Sequence, residues 1–272
     1  IRSFDPAERE ISSRCAAACT TSDAVDRVGG VSDTTAPTAA SDLARLADLL
    51  AGGDPLTWVI TGDSITHGLV FTQGGRSYAE HLHELVRGEL ERVRDIFVNS
   101  AISGHRIVDI LGDFDRRVSS WRPDVVTLMI GTNDLSTGGP QPVISPEEYA
   151  ASLREFVARV RALGAIAVLQ TPPPIDVANA PERARVAEFA DAVRQVAASE
   201  DVVLVDQYAR LIELGAGGIP WGLMGDPFHP NAAGHAALAL EIATVLGIRP
   251  KPERSRTLPL LEAQVGAARI YS

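Results

Sequence analysis

The sequence predicts an α/β fold, a three-layer α/β/α sandwich around a five-stranded, parallel, flavodoxin-like sheet. Five short, nearly continuous apolar runs recur along the chain, and helix-periodic segments follow them. Strands buried on both faces of a sheet read as unbroken apolar runs, and parallel neighbours need a crossover long enough to hold a helix. Residues able to do chemistry cluster just after several of these runs. In open parallel sheets that edge, beyond the carboxyl ends of the strands, is where ligands bind.

Residues 1–40 are rich in Ser, Thr, Ala, Asp and Gly without a sustained apolar period, and read as an extended or loosely packed arm. The main domain is expected over 41–248 and a tail over 249–272. Ser41 is placed as N-cap of SDLARLADLL, where Leu43, Leu46, Leu49 and Leu50 share a helical face before Gly52 and Gly53 stop it. LTWVITG (56–62) is the first strand and SYAEHLHELVRGELERV (77–93) the helix after it. DIFVNSAI (95–102) is the second strand, followed by helical spacing from Arg106 to Ser119. PDVVTLMIG (123–131) is the third, entered after a Pro and left at a Gly. The next helix has Ser145 as its cap, Pro146 at its first position and Gly164 at its end. AIAVLQTPP (165–173) is strand four, PERARVAEFADAVRQVAAS (181–199) a helix, DVVLVDQ (201–207) strand five, and HPNAAGHAALALEIATVLG (229–247) the last helix. The tail is locally basic with a short apolar LPLL segment. It is expected to pack on the domain or on a second subunit, so the terminal extensions are the expected surfaces of any homodimer.

The formal net charge of −10 argues against nucleic acid or an anionic membrane surface as the main partner, since both attract clustered Lys and Arg. A small neutral or cationic substrate fits the average charge better. No apolar run approaches the roughly 20 residues that span a bilayer, so the chain reads as soluble and not as an integral membrane protein. It opens on Ile1 rather than Met. The location is thus left open, with a lean to the cytoplasm and room for export after removal of a signal segment. Cys15 and Cys19 read as two incidental thiols or a small local disulfide; a CxxxC pair without nearby His is a poor zinc site.

The first strand runs into Gly62, Asp63 and Ser64, placing a hydroxyl at a strand-to-helix junction whose backbone N–H groups can face a developing oxyanion. Alone, such a Ser is as well read as a turn or helix cap. After the second strand come Ser103, Gly104 and His105, where the Gly allows close backbone approach. After the third come Gly131, Thr132, Asn133 and Asp134, which bring an uncharged amide donor to the same edge. Before the last helix stand Asp226, Pro227, Phe228, His229, Pro230 and Asn231. A catalytic imidazole needs an acceptor on Nδ1 to hold its tautomer while Nε2 takes a proton. Asp226 or a backbone carbonyl could supply it.

Jointly, GDSITHG, SAISGHR, IGTND and DPFHPN resemble the four sequence blocks of the SGNH superfamily, also called GDSL hydrolases. The resemblance covers roughly residues 54–247. It implies a serine esterase with Ser64 as nucleophile and Asp226 and His229 completing the triad. It further implies an oxyanion hole made by the N–H groups of Ser64 and Gly104 with the Asn133 side chain, and no metal or organic cofactor. The GDSIT form of the first block is similar to that of several carbohydrate acetylesterases. It points to a small acyl group, acetyl first, on a carbohydrate or small metabolite.

Asp63, His67, His105, Trp221 and Met224 are the further candidates for the substrate pocket, each with a plainer reading as turn, surface or core residue. His81 and His83 lie two apart, off a common helical face, and make no metal pair; His235 reads as structural. Two alternatives stand beside hydrolysis: acyl transfer to a non-water acceptor in small-molecule biosynthesis, and a non-catalytic binding module on the same fold. A nucleotide binder is disfavoured because the loop after strand one lacks a Gly-rich phosphate cradle. Specificity is expected from the inserts Thr72 to Gly75 and Thr137 to Ile144.

Overall fold

The computed structural model describes residues 36–269; nearly all of the expected arm, with Cys15 and Cys19, lies outside the described residues. Five strands form one sheet: β1 Thr57–Gly62, β2 Ile96–Asn99, β3 Val125–Met129, β4 Ile166–Gln170 and β5 Val203–Val205. Their order is β2-β1-β3-β4-β5, and every pairing is parallel. This is the expected sandwich.

Side-chain alternation divides the core into two halves. Trp58, Ile60, Val125, Met129, Ile166, Val168, Val203 and Val205 join the cluster on one face of the sheet. Helices α1 (Ala39–Ala51), α3 (Tyr78–His83), α9 (Ala232–Val245) and α10 (Thr257–Ala268) supply its other side through Leu46, Leu82, Leu238, Ile242 and Leu261. Val59, Val126, Leu128, Ala167 and Leu169 face the opposite way, toward α4 (Ile107–Gly112), α6 (Pro146–Ala162) and α7 (Val186–Ser199). A period of two along each strand thus serves two cores, as a sheet covered on both faces requires.

Several helix boundaries differ from the sequence expectation. Thr38, not Ser41, is the N-cap of α1: its hydroxyl accepts from the Ser41 N–H at 3.0 Å while Ser41 Oγ accepts from the Thr38 N–H at 2.8 Å. Both residues serve one capping box, so the helix starts earlier than a single cap suggests. The stretch 77–93 is α-helical only to His83, continues as a π-helix over Glu84–Glu89 and stops. Arg106 to Ser119 splits into α4 and α5 (Phe114–Arg117), with Asp113 at the break in a non-helical conformation. The helix expected to start at Ser64 is the single turn α2 (Ser64–His67), and two helices were not expected: α8 (Gln207–Leu214) and α10. Among the described residues no helix is long and apolar enough to cross a membrane.

Candidate active site

The sheet puts the exits of β1, β2 and β3 side by side, and the site is assembled from their loops. At the end of β1 the backbone must pass close to β3. A Cβ on Gly62 would lie 2.2 Å from the Met129 carbonyl oxygen and 2.4 Å from Thr66 Oγ1, so the turn needs glycine. Asp63 then caps α2, its Oδ1 accepting from the Ile65 N–H at 3.0 Å. Ser64 is the first residue of that helix, which ends after one turn at Gly68 in the left-handed region, φ +75°.

The loop holding His229 is fixed by short-range bonds. The Asp226 carboxylate accepts from the N–H groups of Phe228 at 2.9 Å and His229 at 2.8 Å, forming a tight Asx-type turn. The Gly225 N–H donates to the His229 carbonyl at 2.8 Å, closing the turn on itself. Asn231 then caps α9, accepting from Ala233 and Gly234, while its amide donates to the carbonyls of Gly222 and Met224. From the other side, the Asp176 N–H in the loop after β4 donates to the Pro227 carbonyl at 2.8 Å.

These constraints bring Ser64 Oγ to 2.8 Å from His229 Nε2, and His229 Nδ1 to 2.7 Å from Asp226 Oδ2. Burial pushes the Asp226 carboxyl upward, but the two backbone N–H groups and the imidazole outweigh it and leave it below the ordinary carboxylate range. It is therefore an anionic acceptor near neutrality. Nδ1 carries the imidazole proton and Nε2 offers its lone pair to the serine hydroxyl. Burial lowers the His229 pKa below 6.5 against the opposing pull of Asp226, so the ring is neutral in the resting site.

Gly104, at φ +81°, has open space where a Cβ would stand, and Asn133 lines the same cavity of about 170 Å³. Asn133 Nδ2 donates to the His105 carbonyl at 3.1 Å, which joins the β3 exit to the β2 exit. Asp134 Oδ1 accepts from the Ile107 N–H at 2.8 Å and anchors the start of α4 to the same loop.

Of the further pocket candidates, Asp63 is 1% exposed and faces inward as a cap. His67 Nδ1 lies 3.2 Å from Ser103 Oγ, between the first and second exits. His105 is half-buried and accepts at Nδ1 from Arg117 at 2.8 Å. Met224 is buried and paired with Pro230, whereas Trp221 is about half exposed. Three residues at the site carried no signal in the sequence. The Phe71 ring stacks on the His229 imidazole with centroids 3.6 Å apart, and Arg183 lies 4.1 Å over the Phe228 ring. Arg117, 2% exposed, reaches the Gly62 carbonyl as well as His105.

The model of the GDSL-like lipase/acylhydrolase family matches residues 60–237. An acetylxylan esterase of Geobacillus stearothermophilus is 28% identical over 212 residues, spanning 73% of this chain and 96% of the relative. The crystal structure of that bacterium's acetylxylan esterase Axe2 superposes with a TM-score of 0.64 at 26% identity, covering 74% of this chain and 99% of that one. Solved forms of Axe2 described as catalytic mutants carry changes at a serine, an aspartate and a histidine. LAE5, an alpha/beta hydrolase enzyme from the metagenome of Lake Arreo in Spain, superposes with a TM-score of 0.62 at 28% identity, covering 73% and 98%.

Proposed function

The chain belongs to the GDSL-like lipase/acylhydrolase family and is a carboxylic ester hydrolase, and on that premise we propose that it removes a small acyl group, acetyl first, from a carbohydrate or small metabolite. The observation that carries the reading is the unbroken line from Ser64 Oγ through His229 to Asp226, with links of 2.8 and 2.7 Å. The aspartate and histidine changed in the Axe2 mutants are three residues apart, the spacing of Asp226 and His229 here. The acetylxylan esterase relative supports a short acyl group on a sugar-like alcohol.

In this mechanism Ser64 attacks the ester carbonyl as His229 Nε2 accepts its proton. The oxyanion forms between the N–H groups of Ser64 and Gly104 and the Asn133 amide. The imidazolium, held by Asp226, gives its proton to the departing alkoxide. Water then repeats the sequence on the acyl-serine and releases the acid. The test is a p-nitrophenyl ester series from acetate to long chains, run beside Ser64→Ala, with intact mass after a fluorophosphonate probe. Acetate-selective turnover and one adduct, both lost in Ser64→Ala, are the expected result. Wild-type turnover in the Ser64→Ala protein, or no turnover and no adduct in the folded wild type, would sink the assignment.

A further inference from the structure

The cavity beside Gly104 and Asn133 is polar in an unexpected way. Arg106 and Arg183 line it with Ser136 and Gln141, and no Asp or Glu does. In a chain of net charge −10, two guanidiniums on one cavity of about 170 Å³ oppose the average. Neither is a solvated surface side chain, their exposures being 12% and 14%.

Each guanidinium is only partly engaged. Arg106 donates from one terminal nitrogen to the Pro142 carbonyl at 2.9 Å, and its Nε stands 3.9 Å from Asp109, beyond hydrogen-bond reach. Arg183 pairs through one terminal nitrogen with Glu182 and rests its plane on Phe228. The Nε atoms of both arginines are buried without a hydrogen-bond partner. Those enclosed atoms do not face the cavity, but each arginine also keeps a second terminal nitrogen that is accessible and makes no hydrogen bond, and these are the donors an entering acceptor meets. Arg183 also bears on the reacting centre: its charge is among the influences that lower the pKa of Asp63 and of His229.

A guanidinium fork matches a carboxylate in shape and charge. Resting on the reading above, in which the acyl group is acetyl, the carboxylate must sit on the alcohol. We propose that this cavity is an anion subsite that selects acetyl esters of hydroxy acids or uronic acids, with Arg106 and Arg183 receiving the substrate carboxylate. The average charge of the chain pointed to a neutral or cationic substrate; two guanidiniums on one cavity point to an anion, although each also stands near a carboxylate of its own.

The test needs no turnover. Ser64→Ala protein is titrated calorimetrically with an acetylated methyl glucuronoside bearing a free carboxylate, and with the primary amide of the same sugar, at low and at physiological salt. The same titrations are made with Arg106→Gln or Arg183→Gln added. The carboxylate is expected to bind about tenfold tighter than the amide, with the advantage shrinking in salt. Either Gln variant, shown folded by circular dichroism, should lose most of that ratio. Equal affinities, a preference for the amide, no binding of either ligand, or a preference that survives both substitutions overturns the proposal. Wild-type hydrolysis of p-nitrophenyl acetate scores the esterase reading separately. Turnover without carboxylate preference removes the subsite alone, and carboxylate preference without turnover removes the esterase reading alone.

Discussion

Arg117 donates to Nδ1 of His105 over 2.8 Å from a position only 2% exposed. Arginine cannot accept a hydrogen bond, so His105 Nδ1 must carry its lone pair and Nε2 the proton. Burial, then the Arg117 charge, lowers the His105 pKa, which keeps that ring neutral. The second guanidinium contact is the Gly62 carbonyl at 3.4 Å, and the His105 carbonyl in turn accepts from Asn133. One side chain from α5 therefore ties the turn before Ser64 to the loop of Gly104 and, through His105, to Asn133.

Arg117→Met strands His105 Nδ1 at about 1–3 kcal/mol, while the Gly62 carbonyl keeps its bond from the Ile102 N–H at 3.2 Å, so the melting temperature should fall. The kinetic signature separates positioning from mere stability: kcat on p-nitrophenyl acetate should drop about tenfold or more below the new melting point, with KM nearly unchanged. Arg117→Lys keeps the charge but loses the fork, and should fall between the two. An Arg117→Met enzyme of undiminished kcat would mean that the turn and the oxyanion loop hold their places without it.

Asp226→Asn tests the tautomer. An amide at that position can donate to Nδ1 and turn the imidazole proton onto Nε2, where it cannot receive the serine proton. A loss of kcat on the order of 10² to 10⁴ is expected by analogy with serine proteases. The pH profile adds a signed check. His229 acts as a base only when neutral and its pKa lies below 6.5, so the acid limb of kcat/KM should have its midpoint below 6.5. Asp226 raises that pKa through its hydrogen bond and charge, so residual activity of Asp226→Asn should persist to still lower pH. A limb that moved upward would exclude His229 as the titrating base.

How much of this could be read from the chain depends on whether a feature is local. The five strands were legible because residues such as Val125, Val126, Leu128 and Met129 are buried whichever face they point to, so that the buried Thr127 is the one polar residue in that run. Ser64, Asp226 and His229, which the structure brings within hydrogen-bond distance, were singled out through the resemblance of their short blocks to the SGNH superfamily, each residue alone reading equally well as a turn, cap or surface residue. Arg106, Arg117 and Arg183 were not, since a helix-end arginine in sequence is ordinarily a solvated one and only the sheet order decides which of them turns inward. The helix α8 was hidden behind a short fifth strand, and α10 behind a tail whose proline-containing start reads as a loop. Leu261 and Val265 pack that tail on the domain, one of its two expected places, and only its helical form was missed.

Under the proposed mechanism, Asn133→Ala removes one oxyanion donor. The expected cost is on the order of 3 kcal/mol of activation free energy, appearing in kcat rather than KM, because the bond strengthens as charge develops on the oxygen. The Nδ2 bond to the His105 carbonyl makes Asn133→Asp a useful companion. It keeps the size, replaces the donor by a negative charge facing the oxyanion, and should be slower than the alanine variant. Equal rates for Asn133→Ala and the wild type would remove this side chain from the site.

The last prediction concerns stability, and rests on two carboxyls that the reaction does not use. Burial raises the Asp63 pKa to about 7 and that of Asp134 to about 7, with the Asp63 charge adding to the second. One oxygen of each is buried without a partner. In the unfolded chain both titrate near 3.8. Between those values the folded protein binds more protons, so the contribution of these groups to stability falls as pH rises from about 4 and is lowest above 7. His235 acts in the opposite sense: burial lowers its pKa to about 3, and below the ordinary histidine value of 6.5 the unfolded chain takes up a proton that the fold excludes. The melting temperature should therefore fall from pH 6.5 to pH 8.5 through the two carboxyls, and fall again toward pH 4 in so far as His235 and the other lowered histidines outweigh them. Asp63→Asn and Asp134→Asn keep the acceptors for the Ile65 and Ile107 N–H groups and remove the titration. Each should flatten the alkaline decline by about 1 kcal/mol over that range. A wild-type melting temperature that is level across that alkaline range, and unchanged in slope by both substitutions, would show that the two carboxyls ionise in the fold as they do in water.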